Sequence, residues 1–322
     1  DENYRYYPSN ELASQLLGFV GWKENTFSGR YGLEANYEKT LKGEEGSIFQ
    51  SRDTGGRWIA IGKREISEAV NGDNLVLTID HIVQYESEKL LESAIERYGA
   101  EGGSIIVMEV STGRILALAN NPTFNPNNYS EVEDMAVFRN PAVSDAYECG
   151  SVFKTFTLAS GLDSNKINPG TTYSDTGSVK EAGYTMRNSD MKSYGTQTMS
   201  QVLEKSLNTG AIFVEKQVGN KNFSDYVKRF GFGESSGIDL IGESPGDISN
   251  LKNLKSNIQF FTASFGQGIT ITPIQLISAY NAIANGGMLM KPQIVEKIIH
   301  EDESEEIIQP QEIRRVISHR AA

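Results

Sequence analysis

Residues 152–162 read Val-Phe-Lys-Thr-Phe-Thr-Leu-Ala-Ser-Gly-Leu, a helix-length stretch that is apolar nearly all the way round. Such a helix is stable only where other elements cover every side of it, so the chain has to build layers around it. A length of 322 residues with 38% hydrophobic content is enough for that. The stretch carries one cation, Lys154, and Ser151 stands three residues before it, directly after Gly150. Spacing of i and i+3 puts the hydroxyl and the amine on one helix face. The helix start adds free N–H groups and partial positive charge where an oxyanion would form. A lysine that works as a base near pH 7 needs its pKa lowered by roughly 3 units, about 4 kcal/mol, which burial can supply. The plainer reading makes Ser151 an N-cap and lets Lys154 extend its amine to the surface.

The rest of the pattern gives a small polar module followed by a mixed α/β body. Residues 1–72 are rich in Gly, Tyr and charge, with short alternating patches such as Trp58-Ile59-Ala60-Ile61, and read as irregular and strand-poor. A connecting segment, 73–99, opens with the strand Asn74-Leu75-Val76-Leu77-Thr78-Ile79. Asp80 then caps a helix that Gly99 stops. Val83, Leu90, Leu91, Ala94, Ile95 and Tyr98 are expected to form the buried face of that helix. From residue 100 onward, apolar runs at 104–110 and 115–119 flank Ser111-Thr112-Gly113-Arg114 as a β-hairpin. Residues 120–147 read as an Asn/Pro-rich loop. Thr198-Met199-Ser200-Gln201 and Thr272-Pro273-Ile274-Gln275 are capping boxes, the second with Pro at the first helical position. The acidic run 301–306 is expected to be a solvated loop.

A net charge of −12 argues against a nucleic-acid partner. The single cysteine, Cys149, allows no intrachain disulfide. No spacing suits a metal, no loop suits a phosphate, and no cofactor is expected. Histidines at 81, 300 and 319 give a Ser-His-Asp triad no local support, and Cys149 has no histidine beside it. Ser-x-x-Lys recurs at Ser189/Lys192 and Ser249/Lys252, but both lie among loop-forming residues. Ser206-Leu207-Asn208 is the one Ser-x-Asn in the chain. Residues i and i+2 on a helix face apart, so both reach one site only if the helix ends there, as Thr209-Gly210 suggest. The plainer reading is a polar helix terminus.

Together these motifs resemble the class B penicillin-binding proteins, the D,D-transpeptidases of bacterial cell-wall synthesis, whose motif set is Ser-x-x-Lys, Ser-Asp-Asn and Lys-Thr-Gly. Arg5-Tyr6-Tyr7-Pro8, Gly32-Leu33-Glu34 and 41–46 are similar to the family's N-terminal pedestal; Phe230-Gly231-Phe232-Gly233 and the string 264–276 match its catalytic domain. The resemblance implies a penicillin-binding transpeptidase, serine β-lactamase-like fold, with an antiparallel sheet flanked by helices over 100–322. It implies Ser151 as nucleophile, Lys154 as proton acceptor and Ser206 as proton relay. Asn208 would orient Lys154 and the substrate amide, with Gly150, Leu207, Thr209, Gly266 and Gln267 around the substrate. Implied partners are peptidoglycan stem peptides, the lipid-linked precursor, β-lactams, a glycosyltransferase and other division or elongation proteins. The implied setting is the outer face of a bacterial membrane, held by a single-pass anchor.

The sequence departs from that pattern in three places. Leu207 fills the middle of the second motif, and Cys149 replaces a usual proline, loosening the approach to Ser151 and offering a reactive thiol. No Lys-Thr-Gly triplet occurs; the family places it beyond 313–318, so the chain is expected to be a fragment that a fluorescent penicillin labels poorly. A hydrolytic relative, β-lactamase or D,D-carboxypeptidase, and a non-catalytic cell-wall scaffold stay open as alternatives.

Overall fold

A computed structural model describes residues 5–23, 26–50 and 64–322. The patch at 58–61 lies outside them. The N-terminal module is not strand-poor: Val20–Lys23 pairs antiparallel with Thr26–Gly29, and Ser47–Gln50 with Arg64–Ser67. Each strand is four residues long, too short for period-two alternation to stand out in the sequence.

Residues 120–147 are also more ordered than their composition suggests. They form 3-10 turns at Pro126–Glu131 and Met135–Phe138 and a helical turn at Pro141–Ser144. Asn125, Asp134 and Asn140, the residues that read as loop, are the side-chain N-caps of these turns. The segment binds the two parts of the molecule together. Phe124 and Phe138 join Tyr7 and Phe19 in an aromatic cluster, with Tyr129 stacked on Phe19 at 4.4 Å.

The hairpin is present as Gly103–Met108 and Ile115–Asn121. Asn74–Leu77 pairs with Val295–Ile299, which pairs in turn with Glu305–Ile307, so the strand after the N-terminal module belongs to a sheet of the larger body. Glu305 and Glu306 are therefore in an exposed edge strand and not a loop. Met288–Met290 pairs with Glu312–Arg315. The helix His81–Tyr98 is capped by Asp80, which accepts from the N–H groups of Ile82 and Val83, and ends at Gly99. Its buried face differs from the expected one: Gln84, Ser87 and Leu91 are buried, whereas Leu90 and Tyr98 are exposed. The helix lies along the outer edge of the hairpin, where polar groups need partners. Gln84 Nε2 donates to the Leu118 carbonyl (3.1 Å) and Gln84 Oε1 accepts the Leu118 N–H (2.7 Å).

Helices pack around Lys154–Asp163, whose Phe156, Leu158 and Ala159 are buried with Phe153, Val214, Phe230, Phe232 and Phe260. A second core, Ile115, Leu118, Ile274, Ile294 and Val295, fills the space against the sheet. Both capping boxes form as expected.

Candidate active site

Gly150–Phe153 is a 3-10 turn that runs into the α-helix Lys154–Asp163. The expected single helix is thus corrected at its start, and the tighter turn has a consequence. Residues three apart eclipse in a 3-10 turn, and Lys154 Nζ comes to 3.0 Å from Ser151 Oγ. The string 264–271 frames this turn. Gly150 N–H donates to the Gly266 carbonyl (3.0 Å), Tyr147 and Ile271 exchange two backbone bonds, and Glu148 accepts the Gly268 N–H at 2.8 Å. The Thr157 hydroxyl donates to the Ser264 carbonyl at 2.7 Å. Gly266 is buried with φ +79°, and a Cβ there would lie 2.1 Å from the Gly150 carbonyl oxygen. Gly266→Ala is therefore expected to push the nucleophile turn aside and cost about 1–3 kcal/mol, lowering the melting temperature and slowing acylation. A variant that melts with the wild type would show slack between the two turns.

Lys154 is 1% exposed. Its amine lies 2.6 Å from the Ser206 carbonyl, 2.9 Å from Ser206 Oγ and 3.0 Å from Ser151 Oγ. The surface-seeking lysine is thereby ruled out. Burial pulls its pKa down to about 8. A neutral amine in this cage donates two hydrogens to Ser206 and keeps its lone pair for the Ser151 proton.

Ser206 sits at a corner. The helix Met199–Glu204 ends before it, its φ is +53°, and the helix Asn208–Val218 begins two residues on. The chain does break there, but Thr209-Gly210 form the first turn of the next helix and are not a terminus. Gly210 serves close packing, since a Cβ there would meet Val202 Cγ2 at 2.3 Å. Leu207 is 1% exposed and its side chain belongs to the main core, leaving only its backbone for the substrate side of the corner. Thr209 is likewise buried, with its hydroxyl 2.7 Å from Asp175. Asn208 donates to the Arg187 carbonyl (2.8 Å) and makes no hydrogen bond to Lys154, which corrects the expectation that it holds the amine. Gln267 is exposed beside the buried Gly266. Cys149 is half-buried against the core, and burial pushes its thiol up to about 12, which works against the thiolate that a reactive cysteine needs.

Ser189, Lys192, Ser249 and Lys252 are exposed, and neither of the two lysines is held in a cage of this kind. Sequence reasoning missed Tyr280, whose hydroxyl donates to the Val152 carbonyl at 2.8 Å and lies 3.1 Å from Thr155 Oγ1. A tyrosine four residues after Leu276, on the packed face of an apolar helix, was the available signal. It also missed Asp175 and Asn188, which resemble ordinary turn residues. Among the described residues no group of His, Cys, Asp and Glu is placed to hold a metal ion, and no helix is long and apolar enough to cross a membrane.

A serine at a helix start, a buried lysine behind it and a second serine at a helix corner thus meet in one constellation. The chain belongs to the penicillin-binding protein family: the penicillin-binding protein transpeptidase domain matches residues 103–322, and the penicillin-binding protein dimerisation domain matches 1–77. It is 34% identical over 300 residues to Stage V sporulation protein D of Bacillus subtilis, covering 93% of this chain and 46% of that protein. Against Peptidoglycan D,D-transpeptidase FtsI of Escherichia coli the identity is 31% over 319 residues, covering 99% and 52%. The chain thus spans about half the length of these curated relatives. Penicillin binding protein 3 of Mycobacterium tuberculosis, solved in its apo form, superposes with a TM-score of 0.85 at 29% identity, covering 99% of this chain and 67% of that one. The same protein has been solved with aztreonam and with ampicillin. The shared fold is a mixed helix-and-sheet transpeptidase domain behind an N-terminal dimerisation module.

Proposed function

We propose that this chain carries the acyl-transfer centre of a serine D,D-transpeptidase that cross-links peptidoglycan stem peptides. The observation that carries the reading is the Lys154 amine held among Ser151 Oγ, Ser206 Oγ and the Ser206 carbonyl, each within 3.0 Å. In this mechanism the neutral Lys154 takes the Ser151 proton while Ser151 Oγ attacks the carbonyl of the penultimate D-alanine. The proton passes through the Ser206 hydroxyl to the leaving nitrogen, and the terminal D-alanine departs. A stem-peptide amine then attacks the acyl-enzyme and returns Ser151 Oγ to its hydroxyl form. A β-lactam reacts with the same serine, but its leaving nitrogen stays tethered by the opened ring. Asn208, whose amide nitrogen is tied to the Arg187 carbonyl, keeps its Oδ1 for the substrate amide in this reading, and Gly150 and Gln267 are assigned to the substrate in the same proposal. A membrane anchor, an outer-face location, the lipid-linked precursor and a glycosyltransferase partner belong to the same proposal.

The complete product of the encoding gene, treated with a penicillin, is expected to gain one acyl group on Ser151, seen by intact mass and peptide mapping, and none in Ser151→Ala. Because the neutral amine is the working form, the rate rises about tenfold per pH unit up to about 8 and then levels. Adduct on Ser151→Ala would show that the nucleophile is misassigned. Absence of any adduct on the wild type would favour a non-catalytic scaffold.

A further inference from the structure

We propose that Asp175 and Asn188 are positioning residues for the Ser206–Asn208 corner, acting through Thr209; the inference rests on the catalytic reading above. It starts from Leu207. This leucine occupies the N-cap of the helix Asn208–Val218 and supplies no side-chain cap. Helix-start N–H groups need acceptors, and an apolar cap offers none. Here the acceptor comes from a separate lobe. Asn188 Oδ1 accepts the Thr209 N–H at 3.2 Å.

The lobe is built from the antiparallel pairs Thr172–Asp175 with Gly195–Thr198 and Ser178–Glu181 with Tyr184–Arg187. Its contact with the corner is a closed polar network. Asp175 is 2% exposed and accepts from Gly177 N–H (2.8 Å), Tyr194 N–H (2.9 Å), Asn188 Nδ2 (3.0 Å) and the Thr209 hydroxyl (2.7 Å). Asn188, also 2% exposed, anchors its Nδ2 further on the Lys192 carbonyl at 3.1 Å. The adjacent Arg187 carbonyl receives Asn208 Nδ2 at 2.8 Å. Four donors thus hold a buried carboxylate with no cation among them, at a helix N-terminus where negative charge is favoured. The network fixes the start of the helix, and with it the left-handed Ser206, whose hydroxyl and carbonyl cage Lys154.

The test measures penicillin acylation of the complete gene product per folded molecule, across pH. Thr209→Val keeps the shape and removes the hydroxyl. It is expected to slow acylation by about 10- to 100-fold, the scale of a misplaced catalytic group, and to move the acidic limb of the rate profile to higher pH as water reaches Lys154. Thr209→Ser, which restores the donor, is expected to recover the rate to within about threefold. Ile294→Val, fully buried in the second core, controls for stability alone and should leave rate and limb unmoved. Asp175→Asn carries the same test if Thr209→Val does not fold. A Thr209→Val protein that loses melting temperature but keeps the wild-type rate and limb would reduce the network to structural glue and overturn the inference alone. No acylation of the wild type would overturn the catalytic reading, and this inference with it.

Discussion

Replacing Lys154 by methionine is expected to slow acylation of Ser151 by about 10²–10⁴-fold, the range for losing a general base, without unfolding the protein. The two effects separate because a buried lysine is costly. A shift from 10.5 to about 8 means the folded state holds the ammonium less well than the unfolded one by 2.5 pKa units, on the order of 3 kcal/mol. Methionine removes that cost below pH 8 but leaves the Ser206 carbonyl without its donor, worth about 1–3 kcal/mol in the other direction. Stability at pH 7 should therefore change little while the rate falls. Wild-type acylation in Lys154→Met, with a normal melting curve, would remove Lys154 from the chemistry.

The second large effect concerns Glu215. It is fully buried on the helix Asn208–Val218, and neither carboxylate oxygen has a hydrogen-bond partner. Burial pushes its pKa from 4.5 up to about 7, with Lys216 only partly opposing the shift. The folded state therefore binds a proton between those values that the unfolded state does not. The contribution of Glu215 to stability is fully present below about 4.5, is lost as pH rises from there through about 7, and stays absent above. Glu215→Gln removes this dependence. The variant should match the wild type near pH 4.5 and exceed it at pH 8 by on the order of 3 kcal/mol, from 2.5 pKa units. Thermal or denaturant unfolding at the two pH values reads the difference directly. Parallel curves for the two proteins would mean that Glu215 finds a partner for its charge.

The centre was legible where covalent neighbours fix geometry. Ser151 and Lys154 lie three apart, and any turn that starts a helix brings them together. Ser206 and Asn208 were legible as a break in the helix, although Gly210 was misread, since a glycine that lets two helices touch looks the same in sequence as one that stops a helix. Asp175 and Asn188 were not legible: their partners lie 34 and 21 residues away, and buried Asp and Asn are spelled like surface turns. The fold followed the same division. The hairpin, the Asp80 cap and both capping boxes depend on local rules, and all formed. The buried face of His81–Tyr98 depended on what it would pack against, and a strand edge wants an amide more than a leucine.

That amide has a consequence for the molecule's behaviour in company. Along the outer edge of Ile115–Asn121, Ile115 N–H is taken by Gln293, the Leu116 carbonyl by the Asp80 N–H, and both backbone groups of Leu118 by Gln84. An exposed strand edge is a template on which a second chain can add itself. Here three residues from two distant segments already occupy the backbone groups of Ile115, Leu116 and Leu118, so along this stretch an incoming strand would have to displace bonds the chain has made to itself.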